Sequence, residues 1–107
     1  MDKVYRVVSK LFHQEYHKLN GEYIDEGTVE EKYKPTVYFD SKEKALSGCE
    51  RILDTYLVSS IVSGYIREKD KSEIKLSCMS SLKDRNYCTI TKAYDNLIIK
   101  ISECAVN

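Results

Sequence analysis

One nine-residue run, Val37-Tyr38-Phe39-Asp40-Ser41-Lys42-Glu43-Lys44-Ala45, constrains the fold more than any other part of the chain. It reads as the end of a strand passing at once into the capped start of a helix. Asp40 is placed to accept from a free amide of the first turn, and Glu43 stands three residues on, where it can reach back. Apolar residues then recur at Ala45, Leu46, Cys49, Ile52, Leu53, Tyr56 and Leu57, a helical stripe. The helix is therefore expected from Ser41 to about Leu57, with an extension through about Ser63 and a break at Gly64. A strand over residues 58–66 is the open alternative. Gly48 in the helix interior costs up to about 1 kcal/mol relative to alanine.

The rest of the chain reads mostly as β. Residues 3–12 alternate with Val4, Val8 and Phe12 on one face and Tyr5, Val7 and Leu11 on the other, the pattern of a central strand. Asn20-Gly21 is a hairpin turn that returns Glu22-Tyr23-Ile24 antiparallel. An irregular acidic stretch is expected through Glu31, then a short strand from Thr36 to Phe39. Further on, Ile74, Leu76 and Cys78 alternate as a strand, Ser80 to Asn86 reads as a loop, and Cys88 and Ile90 alternate again. Tyr94-Asp95-Asn96 turns the chain. Leu97, Ile99 and Ile101 then share one face, with Lys100 and Ser102 on the other. The expected fold is a single α+β domain over residues 1–107: one antiparallel sheet with one main helix packed on a face. If Leu97 to Ile101 lies at the sheet edge, a homodimer by strand pairing follows; a central, covered strand is the alternative.

Composition narrows the function classes. The 107 residues include 17 basic and 17 acidic side chains, so no global field draws the chain to nucleic acid or to an anionic membrane. No apolar stretch has the length of a signal core or a membrane span, and the expectation is a soluble cytoplasmic protein without a membrane partner. Cys49, Cys78, Cys88 and Cys104 form no Cys-x-x-Cys pair and read as reduced, small core residues.

No nucleophile elbow, phosphate loop or sequestered carboxylate pair is evident, so no catalytic residues are assigned and no cofactor is expected. Three constellations remain. Glu22, Tyr23, Asp25, Glu26, Glu30, Glu31 and Tyr33 form an acidic, tyrosine-flanked segment suited to a basic groove on a protein partner, where charge steers the encounter and rings supply area. His13, Glu15 and His17, two apart on a strand, would project together toward a zinc or iron ion. The segment from Arg67 to Lys92 carries a basic surplus, with Lys83, Arg85, Tyr87 and Lys92 suggesting a nucleic-acid surface, although interleaved acids dilute its field.

The junction at residues 37–45, the small size and the Lys/Ile/Tyr-rich composition without tryptophan resemble those of small single-domain accessory proteins of phages and mobile elements. That resemblance implies a non-enzymatic protein that binds and blocks a host or defence factor, such as a nucleic-acid-handling enzyme, in the manner of anti-CRISPR inhibitors.

Overall fold

A computed structural model describes residues 3–92 and 95–106, without the side chains of residues 14–19 and 23–26. Strands β1 (Lys3–Leu19) and β2 (Glu22–Phe39) form a long hairpin. Helix α1 (Lys42–Val62) follows, then a 3-10 turn (Glu68–Asp70) leading into helix α2 (Lys71–Arg85). Strands β3 (Tyr87–Thr91) and β4 (Asp95–Ala105) complete one antiparallel sheet in the order β2-β1-β4-β3. The α+β class, the antiparallel sheet and the main helix agree with the sequence reading. No helix among the described residues is long and apolar enough to cross a membrane.

The strand-to-helix junction works through a different cap. Ser41 is extended (φ −146°, ψ 156°), and its Oγ accepts from the Lys44 amide at 3.2 Å. Asp40 instead pairs with the Lys44 ammonium at 2.9 Å, one helical turn on. Moving the cap by one residue leaves Lys44, not Glu43, at the third helical position, so no reciprocal box forms. At the far end the helix reading of residues 58–62 is correct. Gly64 takes φ +80°, and the amides of Tyr65 and Ile66 both donate back to the Ser60 carbonyl.

Gly48 has a packing reason that outweighs its helix cost. A Cβ there would lie 2.5 Å from Cζ of Phe39, so the ring rests directly on the helix backbone. This contact lets the last residue of β2 fold down against the helix that follows it.

Three further expectations fail. Residues 74–78 are helix, not strand. Ile74, Cys78 and Leu82 recur every four residues, and in α2 they turn inward together, with Cys78 and Leu82 buried. Leu76, the middle residue of the expected strand face, is 71% exposed. The polar run Ser80 to Asn86 is the end of this helix, closed by Asn86 in the left-handed region at φ 61°. The acidic stretch from Glu22 to Glu31 is not an irregular loop either; it belongs to β2. Its irregularity is real but is absorbed by bulges. Between Asp25 and Gly27 the strand carries one extra residue, and two more extra residues fall between Lys32 and Val37. Ser9, buried on β1, accepts from the displaced Lys34 amide at 3.1 Å, so the bulge leaves that donor satisfied. Pro35 sits in this bulge on an edge strand, where no ladder bond is lost.

Both helices cover one face of the sheet. Ala45, Cys49, Leu53, Tyr56 and Leu57 of α1 and Cys78 and Leu82 of α2 pack on Val7, Cys88, Ile90, Leu97, Ile99 and Ile101. The four cysteines are free, three of them buried and Cys104 half-buried. The alternation across Leu97, Ile99 and Ile101 holds, but β4 is an interior strand, paired with β1 on one side and β3 on the other. Strand addition through Leu97 to Ile101 therefore has no open backbone to use. Tyr94 of the expected turn lies outside the described residues, while Asp95 and Asn96 already belong to β4.

Burial also sets an alkaline limit. It pushes the Cys49 thiol up to about 12 from an ordinary value of 9, and pushes the Tyr56 phenol upward as well, aided by its hydrogen bond to Asp95. Both groups lose protons more readily when unfolded, so their contribution to stability is full below about pH 9 and falls as pH rises. Denaturation midpoints should hold between pH 7 and 8.5 and fall above 9. Cys49→Ala should make the decline between pH 9 and 12 shallower.

Candidate functional site

The most distinctive feature of the molecule comes from unequal strand lengths. Among the described residues, β4 pairs with β1 from Lys3 as far as His13, opposite Asp95. Beyond that point β1 and β2 continue as a pair, from Gln14 opposite Thr28 to Leu19 opposite Glu22, with no third strand beside them among the described residues. Asn20 (φ 54°) and Gly21 (φ 83°) close the tip, both in the left-handed conformation a tight hairpin turn requires. Residues 14–28 are thus a two-stranded arm, about 20 Å long at about 3.4 Å per residue. The molecule measures 59 × 35 × 19 Å with a radius of gyration of 16.1 Å, against about 13 Å for a compact chain of this size.

The arm is acidic. Glu15, Glu22, Asp25 and Glu26 face only Lys18 in the charge count, leaving a net of three negative charges with His17 neutral. Of the expected partner contacts, Glu22, Tyr23, Asp25 and Glu26 lie on this arm, Tyr23 in register with Lys18 and Asp25 with Tyr16. Glu26 is the extra residue of the bulge before Gly27, whose φ of +101° favours glycine. The other three lie at its base and part company. Glu30 is bound to Lys10 at 2.6 Å, and a carboxylate oxygen of Glu31 lies 3.8 Å from Nδ1 of His13. Tyr33 turns to the helices and packs edge-on against Tyr56, centroids 5.7 Å apart, with burial raising its phenol pKa.

His13, Glu15 and His17 all fall on β1, but the side chains of Glu15 and His17 lie outside those described. Among the described residues no three His, Cys, Asp or Glu side chains gather closely enough to hold a metal.

Of the seven bases from Arg67 to Lys92, three are engaged by other groups among the described residues. Arg67 pairs with Asp70 at 2.9 Å, and Lys75 with Asp54 at 2.9 Å. Lys92 is drawn inside. Its ammonium donates to Ser60 Oγ at 2.9 Å, lies 3.5 Å from Asp95, and sits over the rings of Tyr56 and Tyr65 at 4.5 and 4.9 Å. Tyr56 donates to Asp95 at 2.7 Å. A phenol used for proton transfer would need a lowered pKa; this one is raised. The Ser60–Tyr56–Lys92–Asp95 group is a clamp that ties the start of β4 to α1.

A second charged surface was hidden from sequence reading. The sheet face away from the helices carries Arg6, Lys10, Lys32 and Lys100, with Tyr38 beside Arg6 and Tyr87 beside Lys100 in register. The two rings are 60% and 41% exposed. Lys10 is neutralised by Glu30, while Arg6, Lys32 and Lys100 make no ion pair among the described residues. These bases come from three strands, so no linear run betrays them. The alternation of Arg6, Val8 and Lys10 was the available signal.

No family model matches the chain, and no curated protein or solved structure matches it either.

Proposed function

We propose that this chain is a non-enzymatic binding module that places its acidic β-hairpin arm in a basic groove of a protein partner. The observation carrying this reading is that residues 14–28 pair only with each other among the described residues, past the last partner on β4. An isolated two-stranded ribbon is marginal in water, so such an arm gains most by burial against something else. Its net charge suits a groove built to hold a polyanion, and a nucleic-acid-handling enzyme presents one. An inhibitor of such an enzyme, of the kind phage accessory proteins supply, is the role that fits.

Reversing Glu22, Asp25 and Glu26 to lysine tests this directly. Association with a basic-grooved nuclease or other partner should weaken at least a hundredfold and lose its salt dependence, with the core unaffected. A second reading uses the uncovered sheet face for a single nucleic-acid strand, favoured by Arg6, Lys32 and Lys100, which make no ion pair among the described residues, and by the two exposed rings. Binding of that kind would survive the arm reversal and fail on changing Arg6 and Lys100 to glutamate.

A further inference from the structure

Between β2 and α1 runs a groove of about 580 Å³, lined by Val7, Pro35, Val37, Phe39, Gly48 and Ile52, with Lys34, Lys44 and Arg51 at its rim. Its origin is the pair of bulges between Lys32 and Val37, which disturb the ladder just where β2 runs alongside the helix. Val37 shows the result. It pairs with the buried Val7 and so points toward the helix side, yet it is 44% exposed. Phe39, seated on Gly48, adds an aromatic wall.

The groove is apolar inside and basic outside, and no acidic residue lines it. Lys44 is engaged by Asp40 at 2.9 Å. Arg51 makes no ion pair among the described residues; its backbone carbonyl accepts from Thr55 Oγ1. The Lys34 ammonium lies 5.2 Å from the Tyr33 ring centroid and likewise has no carboxylate partner. Small-molecule sites of this volume combine an apolar lining with a few polar groups that fix orientation. We propose that the groove binds a free amphipathic carboxylate, a single acyl or aryl body lying over Val37, Phe39 and Ile52 with its carboxylate at Arg51 and Lys34. This site is separate from the arm and stands whether or not the arm binds protein.

Decanoate, decanol and decyltrimethylammonium, each below its micelle concentration, are the probes, followed by amide chemical shifts of the intact chain. Decanoate should bind saturably with one site and shift Val37, Gly48 and Ile52. Decanol should bind at least tenfold more weakly, and the cation should not bind. Arg51→Glu, on the exposed side of α1, should weaken decanoate at least tenfold without lowering the melting temperature. Val37→Glu should abolish binding, and because Val37 is exposed on an edge strand, the fold should persist. Equal binding of decanoate and decanol would overturn the assignment. So would shifts confined to other residues, preference for an acidic peptide over decanoate, or affinity seen only with anionic vesicles.

Discussion

Leu53→Ala should destabilise the protein by about 2–5 kcal/mol, the range for truncating a fully buried leucine. Leu53 has no exposed surface and sits at the centre of the stripe that α1 lays on the sheet. A domain of this length has only about 5–15 kcal/mol of stability in total. The melting temperature should fall by at least about 10 °C, and urea denaturation should show a lower midpoint. Leu76→Ala is the matching control. In α2 this side chain faces solvent, and its truncation should change stability by no more than about 0.5 kcal/mol. Were residues 74–78 a strand with Ile74, Leu76 and Cys78 facing inward, the two leucines would cost similar amounts.

That pair of substitutions also marks where the sequence was legible. The stripe from Ala45 to Leu57 has one period and one interpretation, and the helix forms with Ala45, Cys49, Leu53, Tyr56 and Leu57 buried and Leu46 and Ile52 partly so. Ile74, Leu76 and Cys78 fit two periods at once. The i, i+4 series through Leu82 decides for helix only when the partner elements are known. In β2 the difficulty was different. Acidic residues are depleted in strands, and three bulges interrupt the alternation that would identify one. Seventeen-residue β1 gives β2 a ladder to follow, and tertiary pairing overrides the local signal. The Asn20-Gly21 turn was legible because only a left-handed pair of residues closes so tight a hairpin. The arm itself was not, because its exposure depends on where β4 stops, and β4 lies some eighty residues away in sequence.

The candidate surfaces follow the same logic. Contiguous acids were visible as a cluster, yet a strand divides such a cluster between faces and neighbours. Glu30 went to Lys10, Glu31 to the vicinity of His13, and Tyr33 to the core. Lys92 counted as one base of an apparent surface patch, but its ammonium serves an interior clamp with Ser60 and Asp95. Charges gathered from separate strands, such as Arg6, Lys32 and Lys100, emerge only with the register.

If the arm acts as a separate interaction element, its removal should separate binding from folding. His13 and Val29 face each other in register, so a two-residue Asn-Gly turn can replace residues 14–28 and close the shortened hairpin. The helices, β3, β4 and every buried side chain among those described lie outside the deleted segment. The shortened chain should therefore melt cooperatively within about 5 °C of the parent, while association with a basic-grooved partner bound by the intact chain falls below detection. Calorimetric melting and a binding titration on the same two proteins make the measurement. A shortened chain that folds and binds with undiminished affinity would contradict the account.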